Sequence, residues 1–228
     1  NAQQLSWFSQ AVSVFGNTNW NARLTANIDL SCFEDKFTPI GNSTHPYVGT
    51  FDGQFHTISN LFVEQENDYV GFFGLLNGGA TIMNLVLDET CYVKGNIGVG
   101  LVGASKVAGT VLLKNLGMEG YVEAITKNAG GILGANTGSA SSIVMENCYV
   151  TGLVSGNNEC GSISGWLGSN GAKVTNCWTS GDLYGMQSED KYAFRHDNAI
   201  LTNCYSVNGT QGIIIPLEAV FDGSLCYK

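Results

Sequence analysis

The chain is predicted to be all-β, a right-handed parallel β-helix of about six coils of ~30 residues, with an amphipathic helix capping its N-terminal end. Three observations lead there. A six-residue phrase (aliphatic, any residue, Asn, Leu or Cys, any residue, apolar) recurs six times. Between its copies the sequence alternates with period two and is broken by Gly, the pattern of short strands and turns. The composition has 30 Gly and 22 Asn among 228 residues but only 13% charged residues, as suits a stack of turns around a shared apolar core.

The cap comes first. Leu5, Phe8, Val12 and Phe15 fall on one helical stripe, and Gly16 follows, so residues 2–15 are predicted to form a helix over the first coil. Ala22, Leu24, Ala26 and Ile28 then alternate as a first strand. The chain divides accordingly into a cap and first strand, 1–30, and repeats, 31–228, within one structural domain.

The repeated phrase places an Asn at 60, 84, 115, 147, 176 and 203, at spacings of 24, 31, 32, 29 and 27. A second phrase precedes it: Val70-Gly71 to Gly74, Val99-Gly100 to Gly103, Gly130-Gly131 to Gly134, and Gly161-Ser162 to Gly165. Units of this length with strand periodicity fit a solenoid better than a helical repeat. Coils stack at ~4.8 Å, so equivalent positions form columns. Residues two before, one after and three after each Asn should point inward. The six Asn should form an internal ladder at a turn, because Asn tolerates left-handed backbone and its amide can bond the next coil.

Seven cysteines contain no CxxC pair. Cys148, Cys177 and Cys204 hold the column position of Leu61, Leu85 and Leu116, and so read as small buried hydrophobes rather than disulfide partners.

The residues from the first strand onward resemble the GLUG-type repeat of bacterial secreted and cell-surface proteins, Bacteroidales-type. The likeness lies in Leu24-Thr25-Ala26-Asn27-Ile28-Asp29-Leu30, in Phe37-Thr38-Pro39-Ile40-Gly41, in Tyr47 through Leu61 and in the Ile-x-Asn-Leu core. The resemblance implies a β-helix module in a large extracellular protein and carries no catalytic residues. The later units depart from it, with Cys after the Asn.

Function classes narrow from the same text. Ten Lys+Arg against 19 Asp+Glu, a net charge of −9, leave no basic patch for nucleic acid. No apolar run is long enough for a membrane helix. No signature of a cofactor, a metal site or a catalytic triad is spelled out. His45, His56 and His196 are far apart, and Glu34-Asp35, Asp88-Glu89 and Glu189-Asp190 read as solvated loop charges. Asn42-Ser43-Thr44 and Asn208-Gly209-Thr210 match the glycosylation sequon by chance.

The position two after each Asn points outward, and holds Tyr149, Trp178 and Tyr205 in the last three coils. Such a column could dock sugar rings on its π faces, or its rings could simply stack on one another. Trp166 and Tyr184 would extend the patch. The segment Gln187–Asn198, with Tyr192, Arg195 and His196, replaces the Gly-rich phrase and is expected to protrude as a loop, where Arg195 and His196 could meet an acidic sugar.

The function expected from sequence is therefore a non-enzymatic extracellular or cell-surface module for adhesion, glycan binding or spacing. Its partner would be a glycan or a host or cell-surface protein, and further domains of a parent chain are expected. The alternative is a polysaccharide lyase or hydrolase, or its substrate-positioning domain. An ice- or mineral-binding face ranks last, because the outward columns are mixed.

Overall fold

A computed structural model describes residues 1–33, 37–106, 108–138, 141–168, 171–184, 192–208 and 211–221. The chain winds into a parallel β-solenoid of about six turns behind one N-terminal helix.

Each full turn contributes to three sheets, and every pairing between turns is parallel. The first sheet has 12 strands and includes Thr50–Ser59, Thr81–Leu87, Gly109–Met118 and Ser141–Glu146. The second has five: Phe62–Glu64, Tyr92–Val99, Tyr121–Ala129, Leu153–Gly156 and Leu183–Tyr184. The third also has five: Phe73–Leu76, Val102–Ser105, Leu133–Asn136, Gly161–Trp166 and Tyr192–Phe194.

The core is the set of inward columns. Phe51, Ile82, Leu113, Met145 and Val174 form one fully buried column, and Leu85, Leu116, Cys148 and Cys177 another; Ile58 and Leu61, expected in these columns, are buried elsewhere, Ile58 beside Leu87. Burying one such aliphatic side chain contributes roughly 1.5–3 kcal/mol, and stacking identical positions buries all of them at once. Toward the last turns the third inward position becomes polar, with Thr179 and Ser206 buried where Ile58, Leu87, Met118 and Val150 stand earlier.

The helix α1 (Ala2–Ser13) closes the N-terminal end. Asn1 caps it: its side chain accepts from the Gln4 N–H at 3.0 Å. Leu5, Phe8 and Val12 are buried, with Phe8 edge-on to Tyr47, 6.1 Å between centroids. The helix stops two residues short of the stripe's end, so Phe15 is 72% exposed rather than part of the cap. Ser13 explains the stop. Its hydroxyl donates to Pro39 O at 2.7 Å and accepts from Gly41 N–H at 2.8 Å, tying the helix end to the loop beneath.

The first strand also differs from expectation. It splits into Ala22–Arg23 and Ile28–Asp29, and Ala26 between them is exposed. The cause is in the next turn: Thr50–Ser59 is interrupted at Gly53-Gln54-Phe55, where Gln54 and Phe55 have φ of 50° and 61°. The break in one coil is copied by its neighbour.

That interruption also resolves the uneven first Asn spacing. The ladder of amides runs Asn203 to Asn176 (3.1 Å), Asn176 to Asn147 (3.2 Å), Asn147 to Asn115 (2.9 Å) and Asn115 to Asn84 (2.7 Å), each Nδ2 donating to the preceding Oδ1. Asn84 then donates to Asp52 Oδ1 at 2.9 Å, across 32 residues. Asn60 stands at a different corner, donating to Asp29 Oδ1 at 2.9 Å. Asp52 therefore takes the place expected for Asn60. Partial burial works against the Asp52 charge, but bonds from Asn84 and Gln54 and the nearby Arg23 hold its carboxyl below the ordinary value.

All six Asn of the repeated phrase, Asn60 included, have φ between 50° and 57°. The ladder is not internal: Asn84 and Asn115 are half-buried, and Asn147, Asn176 and Asn203 are exposed. The left-handed residue turns its side chain outward at the corner while the residue one after it points in, as does the residue two before it through Val174.

The two contributions at this corner separate by mutation. Asn115→Ala loses both the amide bonds and the tolerance for left-handed backbone, an expected cost of about 2–3 kcal/mol. Asn115→Gly keeps the backbone freedom and should cost about 1 kcal/mol. Urea unfolding measures both, and equal losses would remove the backbone term.

Candidate functional site

The expected aromatic platform is mostly occupied by its own rings. Tyr149 and Trp178 stack face to face, with centroids 5.4 Å apart and planes 11° apart. Tyr149 also lies over Gly117: a Cβ there would sit 2.5 Å from the ring. Its hydroxyl donates to Glu119 Oε1 at 2.6 Å. Tyr205 is only 7% exposed and packs with Ile215 and Ala219, the latter in α2 (Glu218–Phe221), with Trp178 against the same cluster. The column presents ring edges, not faces, because the faces stabilise the stack.

Phe62 leaves this column, since its Asn60 is not in the ladder. It stands instead on the second sheet, stacked on Tyr92 at 5.4 Å, with Tyr121 a further 5.3 Å on. This second aromatic column was not evident in the sequence, because its members sit at different offsets from the Asn phrase. Tyr92 and Tyr121 both donate to Glu123 Oε2, at 3.1 and 3.2 Å. Lys94 bridges Glu64 and Glu123, at 3.4 Å each.

Tyr184, 61% exposed, is on the second sheet opposite Ser155. Trp166 ends a strand of the third. The two do not form one patch. The segment expected to protrude is not all loop: Tyr192–Phe194 pairs with Gly161–Trp166 as the last strand of the third sheet. Residues 185–191, with Glu189-Asp190, lie outside the described residues, as do Glu34-Asp35 and Cys226. So do two residues of the second sequon.

Arg195 and His196 part company. His196 Nδ1 accepts from the Ala199 N–H at 3.1 Å and orders the turn after the strand. Burial lowers its pKa below the ordinary value, against the pull of Asp197. Arg195 instead reaches Trp166, with its guanidinium carbon 4.8 Å from the ring centroid.

Around Arg195 the structure builds a groove. It is ≈ 500 Å³ and lined by Asp68, Tyr69, Lys127, Glu159, Trp166 and Arg195, among others. Its builder is a second left-handed column, just ahead of the Gly-rich phrase: Tyr69 (φ 63°), Gly98 (68°), Asn128 (62°) and Glu159 (56°). At these corners Tyr69, Asn128 and Glu159 turn their side chains toward the groove. Close nesting of successive corners requires the Gly phrase. A Cβ on Gly134 would sit 2.2 Å from the Val99 nitrogen, and one on Gly103 2.5 Å from the Tyr69 carbonyl carbon.

The aromatic walls are rigidly seated. Tyr69 and Trp166 pack on Leu75, Ala104 and Ala135, a small apolar cluster apart from the main core. Each ring carries a cation, Lys106 at 5.9 Å over Tyr69 and Arg195 over Trp166. At the groove's centre Glu159 accepts from three side chains. Lys127 Nζ is 3.3 Å from Oε2, Arg195 Nη2 is 3.4 Å from Oε1, and Asn128 Nδ2 is 3.2 Å from Oε2. Arg195 Nε is buried without a hydrogen-bond partner.

The groove shares Asp68 and Tyr69 with a neighbouring polar groove of ≈ 480 Å³ that reaches Thr38, Asn42 and Ser43 of the first turn. Together they run along the solenoid from its first turn to Arg195. A separate cavity of ≈ 280 Å³ lies under α1 beside Trp7 and Arg23. Trp7 is 59% exposed and contacts Trp20 at 5.7 Å between centroids.

Other expected residues are structural. His45 Nδ1 lies 3.1 Å from Ser13 O, and His56 Nδ1 lies 3.2 Å from Asn27 Oδ1. Asp88 folds a turn by accepting from Thr90 N–H at 3.1 Å. Among the described residues no group of His, Cys, Asp or Glu is placed to hold a metal ion, and no helix is long and apolar enough to cross a membrane.

The chain shares its fold with a solved bacterial protein. This is a putative immunoglobulin A1 protease from Bacteroides ovatus, superimposing with a TM-score of 0.63 over the whole of this chain and 86% of the other. The two are 18% identical, a likeness that shows the fold alone. Over 140 residues the chain is 34% identical to Halomucin of Haloquadratum walsbyi, matching 57% of this chain but only 2% of that protein. No family model matches the chain, so the GLUG-type resemblance stays a likeness of residues.

The comparison corrects one expectation. The sequence reads as non-enzymatic, but the solved protein with this fold is described as a protease, which is an enzyme. The non-enzymatic reading is therefore withdrawn.

Two outcomes check this geometry. Gly117→Ala should displace the Tyr149 ring and lower the thermal midpoint without altering the groove, read by circular dichroism and by Trp fluorescence. Thiol labelling at pH 8, mapped by mass spectrometry, should modify exposed Cys32 and spare Cys91, Cys148, Cys160, Cys177 and Cys204, all of them buried. Burial pushes the Cys91 thiol up to about 12; for Cys177 and Cys204 the hydrogen bond to a neighbouring cysteine of the column raises the thiol first, and burial adds to it. Native labelling of Cys177 would contradict the packed core.

Proposed function

We propose that the chain is an extracellular solenoid module of a longer protein, and that its third-sheet groove docks a glycan. The observation that carries this reading is the groove itself. Asp68, Lys127, Asn128, Glu159 and Arg195 offer donors and acceptors beside two immobilised rings. A sugar chain is dense in hydroxyls and has apolar C–H faces, so it needs both kinds of surface. The groove's direction also suits a polymer, since coils repeat at ~4.8 Å along it, a step similar in scale to one sugar unit.

The reading as a module is supported by the Halomucin match, in which a stretch similar to this sequence is a small part of a far longer chain. The extracellular placement rests on the residues shared with GLUG-type repeats. Holding a glycan serves an enzyme's substrate as well as it serves adhesion, so the groove's role stands beside either activity.

Titration with soluble polysaccharides by calorimetry tests the proposal. Trp166→Ala and Lys127→Ala should each weaken binding about tenfold, the loss of one or two well-placed contacts. Tyr184→Ala, on the second sheet, should leave affinity unchanged. If Tyr184→Ala weakens binding as much as Trp166→Ala, the site is not this groove.

A further inference from the structure

We infer that Glu159 is an internal stand-in for a ligand carboxylate, and that the groove selects acidic sugars such as hexuronates. The inference rests on the glycan-docking reading and adds the ligand's chemical class. Glu159 sits in a cradle of three nitrogen donors, from Lys127, Arg195 and Asn128. Two of the donors are placed by something other than Glu159. Asn128 is held by its own left-handed corner and is 5% exposed. Arg195 lies over Trp166, which itself packs on Leu75, Ala104 and Ala135. Lys127 lies on the second-sheet strand, its neighbour Ile97 in register.

A cradle of this kind persists when its carboxylate leaves. The guanidinium is planar and always charged, and a ring beneath it keeps it in place to pair with a carboxylate. Glu159 has a side chain 29% exposed, against 20% for Arg195, and follows exposed Asn157 and Asn158 in a bend, so it can turn out to water. An entering carboxylate therefore exchanges with Glu159 on the same donors, and no bond is made or broken covalently.

The lining balances Lys127 and Arg195 against Asp68 and Glu159, with Lys106 near by over Tyr69, so turning Glu159 out leaves both cations for an entering carboxylate. Neutral sugars would meet the hydroxyl-binding groups but leave Glu159 in place.

The experiment compares an oligogalacturonide with its fully methyl-esterified form, by calorimetry on wild type, Glu159→Gln and Arg195→Ala. The wild type should prefer the acid. Glu159→Gln should tighten the acid about tenfold, because its competitor is neutralised and exposed ion pairs are individually weak, and should leave the ester unchanged. Arg195→Ala should abolish the preference. The inference is overturned if Glu159→Gln leaves the ratio of acid to ester affinity unchanged or lowers it. Binding of the ester with no preference for the acid overturns the inference and keeps the docking reading, whereas no binding of either form by any of the three proteins overturns both. Matching far-ultraviolet spectra for the three proteins show that folding is not the variable.

Discussion

The structure depends on one repeated constraint, a left-handed residue at the same corner of successive coils. A strand cannot turn sharply and keep its neighbours' side chains inward unless one residue takes positive φ, which costs most residues about 1–2 kcal/mol. Asn relieves that cost, and its amide then bonds the same residue of the adjacent coil. Register follows: once the corners are bonded, the strands between them have only one way to align. The core columns, the sheets and the positions of outward side chains are all consequences.

A second set of corners uses the same geometry for another end. Tyr69, Gly98, Asn128 and Glu159 share a backbone conformation but not a residue type. The first column is uniform and forms a continuous ladder, so it stabilises the stack. The second is varied and places a ring, an amide and a carboxylate along one groove. Regular corners build the rod, and irregular corners furnish a surface that can discriminate. The strain of a left-handed Glu or Tyr is offset by the Gly phrase beside it, which lets the backbones nest.

Fold likeness and function separate in this molecule. The solenoid is common to the Bacteroides ovatus protein at 18% identity, a level at which outward residues are free to differ while inward ones need only be apolar. The proposed recognition is therefore written in the outward residues of the corners, where Arg195, Lys127 and Asn128 converge on Glu159.

The sequence by itself determined the parallel solenoid, the buried columns and the capping helix, because periodic positions in a stack must share an environment. It also singled out Trp166 and Arg195. Only the tertiary structure decided that those two meet, that Asp52 and not Asn60 ends the ladder, and that Tyr149 and Trp178 spend their faces on each other. Each of these depends on register between coils about 30 residues apart. Residue identity reports such register only where a column keeps one residue type. The groove was illegible for that reason: its corner column holds Tyr, Gly, Asn and Glu, four residues united by a backbone angle and by nothing a sequence displays.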